Sequence, residues 1–410
     1  MKSTTGKNIK VTIWGGSHEP AIGVDIEGLP AGTGIDMAEL AAFLKRRAPG
    51  SSPFATKRRE PDIPIPVKGL RPAGGPVMQD KPVIPDAAVK PDAPGDPAMH
   101  DSPDAPIADG DQSTTGGAGR QIMIVTGGTV SFEIRNTDTR SSDYKSLRTV
   151  PRPGHADYTA RLRYGDTLNM AGGGPFSARM TAPLCIAGGI ALQILAGQGI
   201  TIGAHIASIG SVHDTPFDPV ATDPALLRSL DEQSMPVISK DAKTQMQKEI
   251  WLAMEDSDSI GGTVEVCALN VPAGIGGAMY DGLESALAPV FFGIPAVKGV
   301  EFGAGFAASE LRGSVNNDAF YYDSGTVKTR TNNHGGILGG ITSGMPLIAR
   351  LAFKPTPSIA KEQDSVDLDK KENTKLNVKG RHDPCVVVRA VPIAEAALAL
   401  GILDCMMEEK

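Results

Sequence analysis

Residues 9–47 read IKVTIWGGSHEPAIGVDIEGLPAGTGIDMAELAAFLKRR, and the order of elements in this stretch decides the fold class. Residues 9–28 alternate short apolar runs with glycine, the pattern of strand, loop and strand. Residues 36–47 read as a helix. Asp36 is the expected N-cap, Glu39 stands at the capping-box position, and Leu40, Phe43 and Leu44 form an apolar stripe. Further along, 130–134 reads as a strand and 182–198 as an apolar helix. An amphipathic helix is expected over 241–254, strands over Gly262–Leu269, Val297–Phe302 and Leu347–Phe353, and helices over 283–290 and 394–406. Strands and helices alternate irregularly, which suits α+β better than a doubly wound sheet. Neither GxGxxG after the first strand nor GxxxxGK[ST] occurs, so no dinucleotide or P-loop fingerprint is present.

The stretch from about residue 70 to 125 differs from its surroundings. It contains KPVIPDAAVKPDAPGDPAMHDSPDAPIADGD and has almost no large apolar side chain. Such a segment cannot bury enough surface to offset its ordering entropy. It is expected to be a disordered or loosely extended insertion in a single domain spanning 1–410.

Composition sets outer limits. Hydrophobic residues make up 40% of the chain, enough for a sizeable core, while Gly (48) and Pro (32) imply many tight turns. The net charge of −7 excludes a globally basic nucleic-acid footprint. Cys185, Cys267, Cys385 and Cys405 form no C-x-x-C pair, which fits isolated reduced thiols in a cytoplasmic protein and no metal site. The first residues lack an apolar signal-peptide core, and no run of about 18 apolar residues stands out, so no membrane span is expected.

Candidate chemistry lies on the Gly- and Pro-rich loops. His18 follows Gly15-Gly16-Ser17, and His155 sits in Arg152-Pro153-Gly154-His155-Ala156-Asp157. A histidine on a loop held in this way suits acid–base work, because it titrates near neutral pH. Arg152, Arg179, Lys354, Arg381 and Arg389 sit on or near such loops, beside Lys45-Arg46-Arg47 and Lys57-Arg58-Arg59. In an acidic chain they suggest a phosphorylated or polycarboxylate small molecule, which an arginine fork grips well. Gly172-Gly173-Gly174 and Gly335-Gly336-Ile337-Leu338-Gly339-Gly340 would let backbone approach a flat ring or a phosphate, although many such runs are only turns. Gly380-Arg381-His382-Asp383 places a cation, an imidazole and a carboxylate together.

In series, RRAPGSSPFATKRREPD, RPGHADYTARLRYG, GGGPFSARMTAP, NNHGGILGGITSGMP, FKPTPSI and GRHDPCVVVRAVPIAEA closely resemble chorismate synthases, in that family's order and roughly its spacing. The resemblance implies a β-α-β sandwich with helices between two sheets, assembled as a homotetramer. It implies a carbon–oxygen lyase of the shikimate pathway, acting by anti 1,4-elimination of phosphate from 5-enolpyruvylshikimate 3-phosphate to give chorismate. Reduced FMN is required, and some members reduce it with NADPH.

Carried over residue by residue, the resemblance makes His18, His155 and Asp383 catalytic. Ser17, Arg47, Arg152, Arg179 and Arg381 would bind substrate. Pro175, Phe176, Ser177, Pro295, Ala296, Gly339, Lys354, Pro355, Thr356, Pro357, Ser358 and Arg381 would contact FMN, and Arg47 and Pro53 would contact NADPH. His18 would lie near the leaving phosphate and His155 near the flavin, with Asp383 helping to remove the substrate's proton. The family's Gly-Glu-Ser-His-Gly is here Gly15-Gly16-Ser17-His18-Glu19, and a family arginine is here Pro53. These departures carry a second reading: a catalytically impaired homologue that keeps the fold and serves as a flavin-binding or interaction protein.

Overall fold

The computed structural model describes residues 2–50, 52, 54, 56, 60–75, 121–138, 147–378 and 382–407. The chain opens with β1 (Lys2–Thr5), β2 (Lys10–Gly15) and β3 (Ala21–Glu27). β4 (Gly34–Asp36) leads into α1 (Met37–Arg47). Next come β5 (Ile65–Lys68), β6 (Leu70–Pro72), β7 (Ile122–Val125) and β8 (Val130–Arg135). β1-β2-β3-β8-β5 form one antiparallel sheet, and β4-β7-β6 a smaller one.

Asp36 caps α1 as expected, its Oδ1 accepting the N–H groups of Ala38 and Glu39 at 2.9 and 3.2 Å. The reciprocal half of the capping box comes from elsewhere: the Asp36 N–H donates to Gln193 Oε1 at 2.8 Å. A distant helix therefore supplies the acceptor that Glu39 was expected to give.

β6 and β7 pair with Leu70 opposite Val125, Arg71 opposite Ile124 and Pro72 opposite Met123. The two ends of the range read as an insertion are thus strand, because Leu70, Met123 and Val125 are core residues. Residues 76–120, the rest of that range, lie outside the described residues.

The second half contains α2 (Asp157–Tyr164), α3 (Thr181–Ala196), β9 (Thr201–Ile209), β10 (Val212–His213), α4 (Pro224–Asp231), α5 (Lys240–Glu255) and β11 (Gly262–Leu269). α6 (Leu283–Phe292), β12 (Val297–Phe302) and a single turn, α7 (Gly313–Asn316), follow. Two hairpins come next, β13 (Phe320–Asp323) with β14 (Thr326–Thr329) and β15 (Ile337–Leu338) with β16 (Ile341–Thr342). β17 (Leu347–Phe353) and α8 (Val387–Met406) complete the core. The second sheet runs β10-β9-β11-β17-β12, again antiparallel throughout, so the class is α+β.

α3 packs on β2, β3 and β8 of the first sheet, and α8 packs on β9 and β11 of the second. The two helices also pack on each other, flanked by α1 and α6. The sequence explains this central place. α3, TAPLCIAGGIALQILA, is apolar on every face, so it must be covered on every face. Small residues let the helices close up: a Cβ on Gly188 would lie 2.2 Å from the Ala396 Cβ. The helical stretch Ala178–Ala196 is long and apolar enough to cross a membrane, which was not expected, but 78% of it is buried inside this core. One buried arginine–glutamate contact ties the layer together. Arg46 of α1 grips Glu395 of α8 through two contacts of 2.7 and 2.8 Å, and reaches Asp231 of α4 at 3.0 Å.

Candidate active site

One end of the helical layer holds a cavity of about 280 Å³. The end of α1, the turns that open α3 and α8, the exit of α6 and the exit of β17 all reach it, through Arg47, Arg179, Arg389, Pro295 and Lys354. Two helix N-termini at one cavity favour a negatively charged ligand. Of the residues singled out in the sequence, Arg47, Arg152, His155, Phe176, Ser177, Arg179, Pro295, Ala296, Lys354, Thr356, Pro357, Ser358 and Asp383 line it. Pro175, Pro355, Ser17, His18 and Gly339 are not among the lining residues, while Pro53 and Arg381 lie outside the described residues.

The arginines were expected to be open to anionic ligands; Arg47, Arg152 and Arg179 each already face a carboxylate. Arg47, 1% exposed, donates to Asp62 at 2.7 Å, to Thr181 at 3.0 Å and to the Ala178 carbonyl at 2.9 Å. It still lines the cavity, with these donors turned to protein groups. Arg179 contacts Asp62, and its Nε lies 2.7 Å from Glu60 and 3.0 Å from the Asn136 Oδ1. Burial acts to raise the Asp62 pKa, but Arg47 and Arg179 outweigh it and hold the carboxyl below the usual carboxylate range. Asp62 adopts φ +50°, a left-handed conformation sustained by this double clamp. Ser52, Glu60 and Asp62 belong to a loop that sequence reading treated only as basic. The signal was available in Glu60-Pro61-Asp62, two acids set directly after Arg58-Arg59.

Arg152 also faces a carboxylate. Its Nε and Nη2 each donate to Asp157 at 2.7 Å, and Nη1 reaches Ser358 at 3.0 Å. The fork expected to hold substrate thus holds Asp157. Asp157, the first residue of α2, lies 2.7 Å from His155 Nδ1. The Arg152 Nη2 lies 3.1 Å from the same Nδ1, so the ring is held by its Nδ1 edge while Nε2 bonds to no described residue. Burial works to raise the Asp157 pKa, but the bonds from Arg152 and His155 take it well below the ordinary value. The His-x-Asp spacing could have revealed this partner.

The glycine run explains how the two histidines are placed. Gly172, Gly173 and Gly174 all have positive φ, at +62°, +90° and +52°. A Cβ on Gly172 would sit 2.1 Å from the His18 ring, and one on Gly173 would sit 3.2 Å from His155 Nε2. The run is a thin wall between two imidazoles, with Gly172 also lining the cavity. Ser17 pins it, its Oγ donating to the Ala171 and Gly172 carbonyls at 3.1 and 3.0 Å. Glu19 bends back over Gly16: its Oε1 is 3.1 Å from where a Cβ there would lie.

Lys354 completes the cavity's charges. Among the described residues its Nζ donates to the Gly154 carbonyl and pairs with no carboxylate. Burial, with Lys298 nearby, lowers its pKa below the ordinary lysine value. Beside it Ala296 holds φ +78°, and its carbonyl accepts the Lys354 N–H at 3.0 Å. Gly339 belongs to the β15–β16 turn, where a Cβ would meet nothing within 4 Å. Among the described residues no group of three or more His, Cys, Asp or Glu is disposed to hold a metal ion.

Fold and cavity together describe an α+β protein with a site sized for a small molecule, with an imidazole and a carboxylate at hand. The family model described as chorismate synthase matches residues 9–78 and 111–407, leaving out most of the low-complexity segment. A chorismate synthase from Lancefieldella parvula is 40% identical over 98% of this chain and 96% of its own length. One from Thermococcus gammatolerans is 40% identical over 99% and 98%. A solved structure described as a crystal structure of chorismate synthase covers 98% of this chain and 92% of that chain, with a TM-score of 0.66 at 22% identity, a likeness of fold. The chain belongs to the chorismate synthase family.

Proposed function

We propose that the cavity converts 5-enolpyruvylshikimate 3-phosphate into chorismate and phosphate with reduced FMN bound, as a carbon–oxygen lyase. The observation that carries this reading is the convergence of His155, Asp383 and Lys354 on one cavity that Gly172 also lines. Reduced FMN, when bound, supplies transient electron density that side chains cannot. The residues present fit such a group. Gly172 gives a stretch of wall without a side chain, Phe176, Pro295, Ala296 and Pro357 give apolar surface for a ring, and Lys354 gives a cation for a phosphate.

His155 presents Nε2 to the cavity, its Nδ1 edge held by Asp157 and Arg152. Asp383 accepts the proton that leaves the substrate ring. His18 lies across Gly172 from the cavity, so a role toward the departing phosphate requires the glycine run to open. The arginine–carboxylate pairs keep these groups rigid, and a rigid polar site needs no reorganisation during reaction. The flavin would be supplied reduced, by NADPH or by an external reductant. We place the enzyme in the cytoplasm as a homotetramer whose layers form the family's β-α-β sandwich. What supports assembly is exposed apolar surface, with Tyr280, Phe306 and Tyr322 at 88%, 82% and 79% exposure.

The second reading rested on Gly16 and Glu19. Because Glu19 folds its carboxylate onto Gly16, the acid missing at one position returns to the same corner from another. That observation favours the active enzyme. Anaerobic incubation of the chain with photoreduced FMN and the substrate should release chorismate and phosphate in equal amounts. Flavin binding with no chorismate formed would establish the impaired homologue instead.

A further inference from the structure

Asp383 is held from two sides. Its Oδ1 accepts the Thr56 main-chain N–H at 2.8 Å, and its Oδ2 accepts Nη1–H of Arg389 at 2.9 Å. Arg389 also donates Nε–H to the Arg47 carbonyl at 3.0 Å. Arg47 is itself fixed on Asp62 and Thr181. The Arg389 side chain is mostly enclosed and stands between the main cavity and a smaller one of about 30 Å³ behind it. A planar guanidinium bonded through Nη1 to a carboxylate and through Nε to a carbonyl cannot rotate without losing one of the two. Each Asp383 oxygen therefore has one acceptor direction occupied and another left for a ligand.

We propose that Arg389 is a positioning residue for the elimination: it fixes the Asp383 carboxylate in the orientation that receives the substrate's proton, and it acts through Asp383 rather than on the substrate. This rests on the reading of Asp383 given above. Arginine suits the task and lysine does not, since one ammonium cannot reach both the carboxylate and the Arg47 carbonyl in fixed geometry. Misplacing a reacting group by about 1 Å can cost on the order of a hundredfold in rate.

The test is a double-substitution cycle in the full-length enzyme with saturating reduced FMN, together with calorimetric dissociation constants for substrate and FMN. Arg389→Met should lower kcat by roughly a hundredfold, with both dissociation constants within about twofold of wild type. Asp383→Asn should lower kcat comparably, and the double variant should be no slower than the worse single one, as expected of two groups acting as a unit. Arg389→Lys should fold and lose about tenfold in kcat, so the test stands even if Arg389→Met does not fold. A double variant whose loss equals the product of the single losses overturns the proposal. So does a wild-type kcat in Arg389→Lys, or weaker substrate binding with kcat intact. Full activity in Asp383→Asn would instead remove the reading of Asp383 itself.

Discussion

His155 and His205 each sit against carboxylates, and they differ in what is left over. His205, on β9 and 0% exposed, has Nδ1 2.9 Å from Asp214 and Nε2 3.0 Å from Glu265. Both ring nitrogens are occupied, Glu265 also accepts the Phe217 N–H at 2.7 Å, and the ring packs edge-on against Phe217. His155 gives one nitrogen to Asp157 and has no hydrogen bond from Nε2 to a described residue. Pairing with acids therefore does not mark a functional histidine. An imidazole can do chemistry when one nitrogen is oriented and the other faces a cavity.

The largest effect that would sharpen this contrast is on stability. His205→Leu leaves Asp214 and Glu265 buried without their shared cation, and breaking such a pair costs about 3–5 kcal/mol. Urea unfolding should show a loss of that order, and any folded fraction should retain near wild-type turnover. A stable His205→Leu protein without activity would break the comparison.

The pH dependence of stability follows from the same groups. Burial acts to lower the His205 pKa, but Asp214 and Glu265 outweigh it and raise it above 6.5. A histidine with a raised folded value contributes stability fully below about 6.5, and that contribution is lost as pH rises through the folded value. Burial also pushes Glu395 up to about 7 from 4.5, against Arg46, so stability falls as pH rises from about 4.5 to 7 as well. The urea midpoint should decline from mildly acidic to alkaline pH, and His205→Gln should flatten the upper part of the decline only. An unchanged slope above pH 6.5 in that variant would show that His205 does not carry it.

Two glycines offer a smaller comparison. Gly172→Ala forces a methyl into the His18 ring at a positive φ, so turnover should fall by tenfold or more with a clear loss of Tm. Gly339→Ala meets open space, so only backbone strain of about 1 kcal/mol should appear. Equal effects would mean that the wall between the two histidines is not what sets the glycine requirement. Least of all, replacing residues 76–120 by a short Gly/Ser bridge should leave Tm within a few degrees, because β6 and β7 already pair on either side.

Much of this was legible in the sequence, for reasons of scale. α1, with Asp36 as its cap, and the apolar α3 are local patterns that tertiary packing only completes. α8 begins at Val387 rather than at residue 394, because Val386-Val387-Val388 reads as strand and Pro392 reads as a break, and a fully buried setting overrides both. β9 (Thr201–Ile209), TIGAHIASI, has no clear strand signal in sequence because small residues blur its alternation. At the site, the loops were legible and the pairings were not. Arg47 and Arg179 read as ligand-binding cations in sequence, and no local rule joins residues 47, 62 and 179 to show that Asp62 sits between them.

If the reaction occurs in the cavity that presents His155, removing that imidazole must stop it. Turnover of His155→Ala, measured anaerobically with saturating substrate and reduced FMN beside a thermal melt, tests it most directly. The predicted result is a kcat at least about a hundredfold below wild type, the scale of a lost acid–base group, with Tm within a few degrees. A kcat within twofold of wild type in a well-folded His155→Ala protein would contradict it.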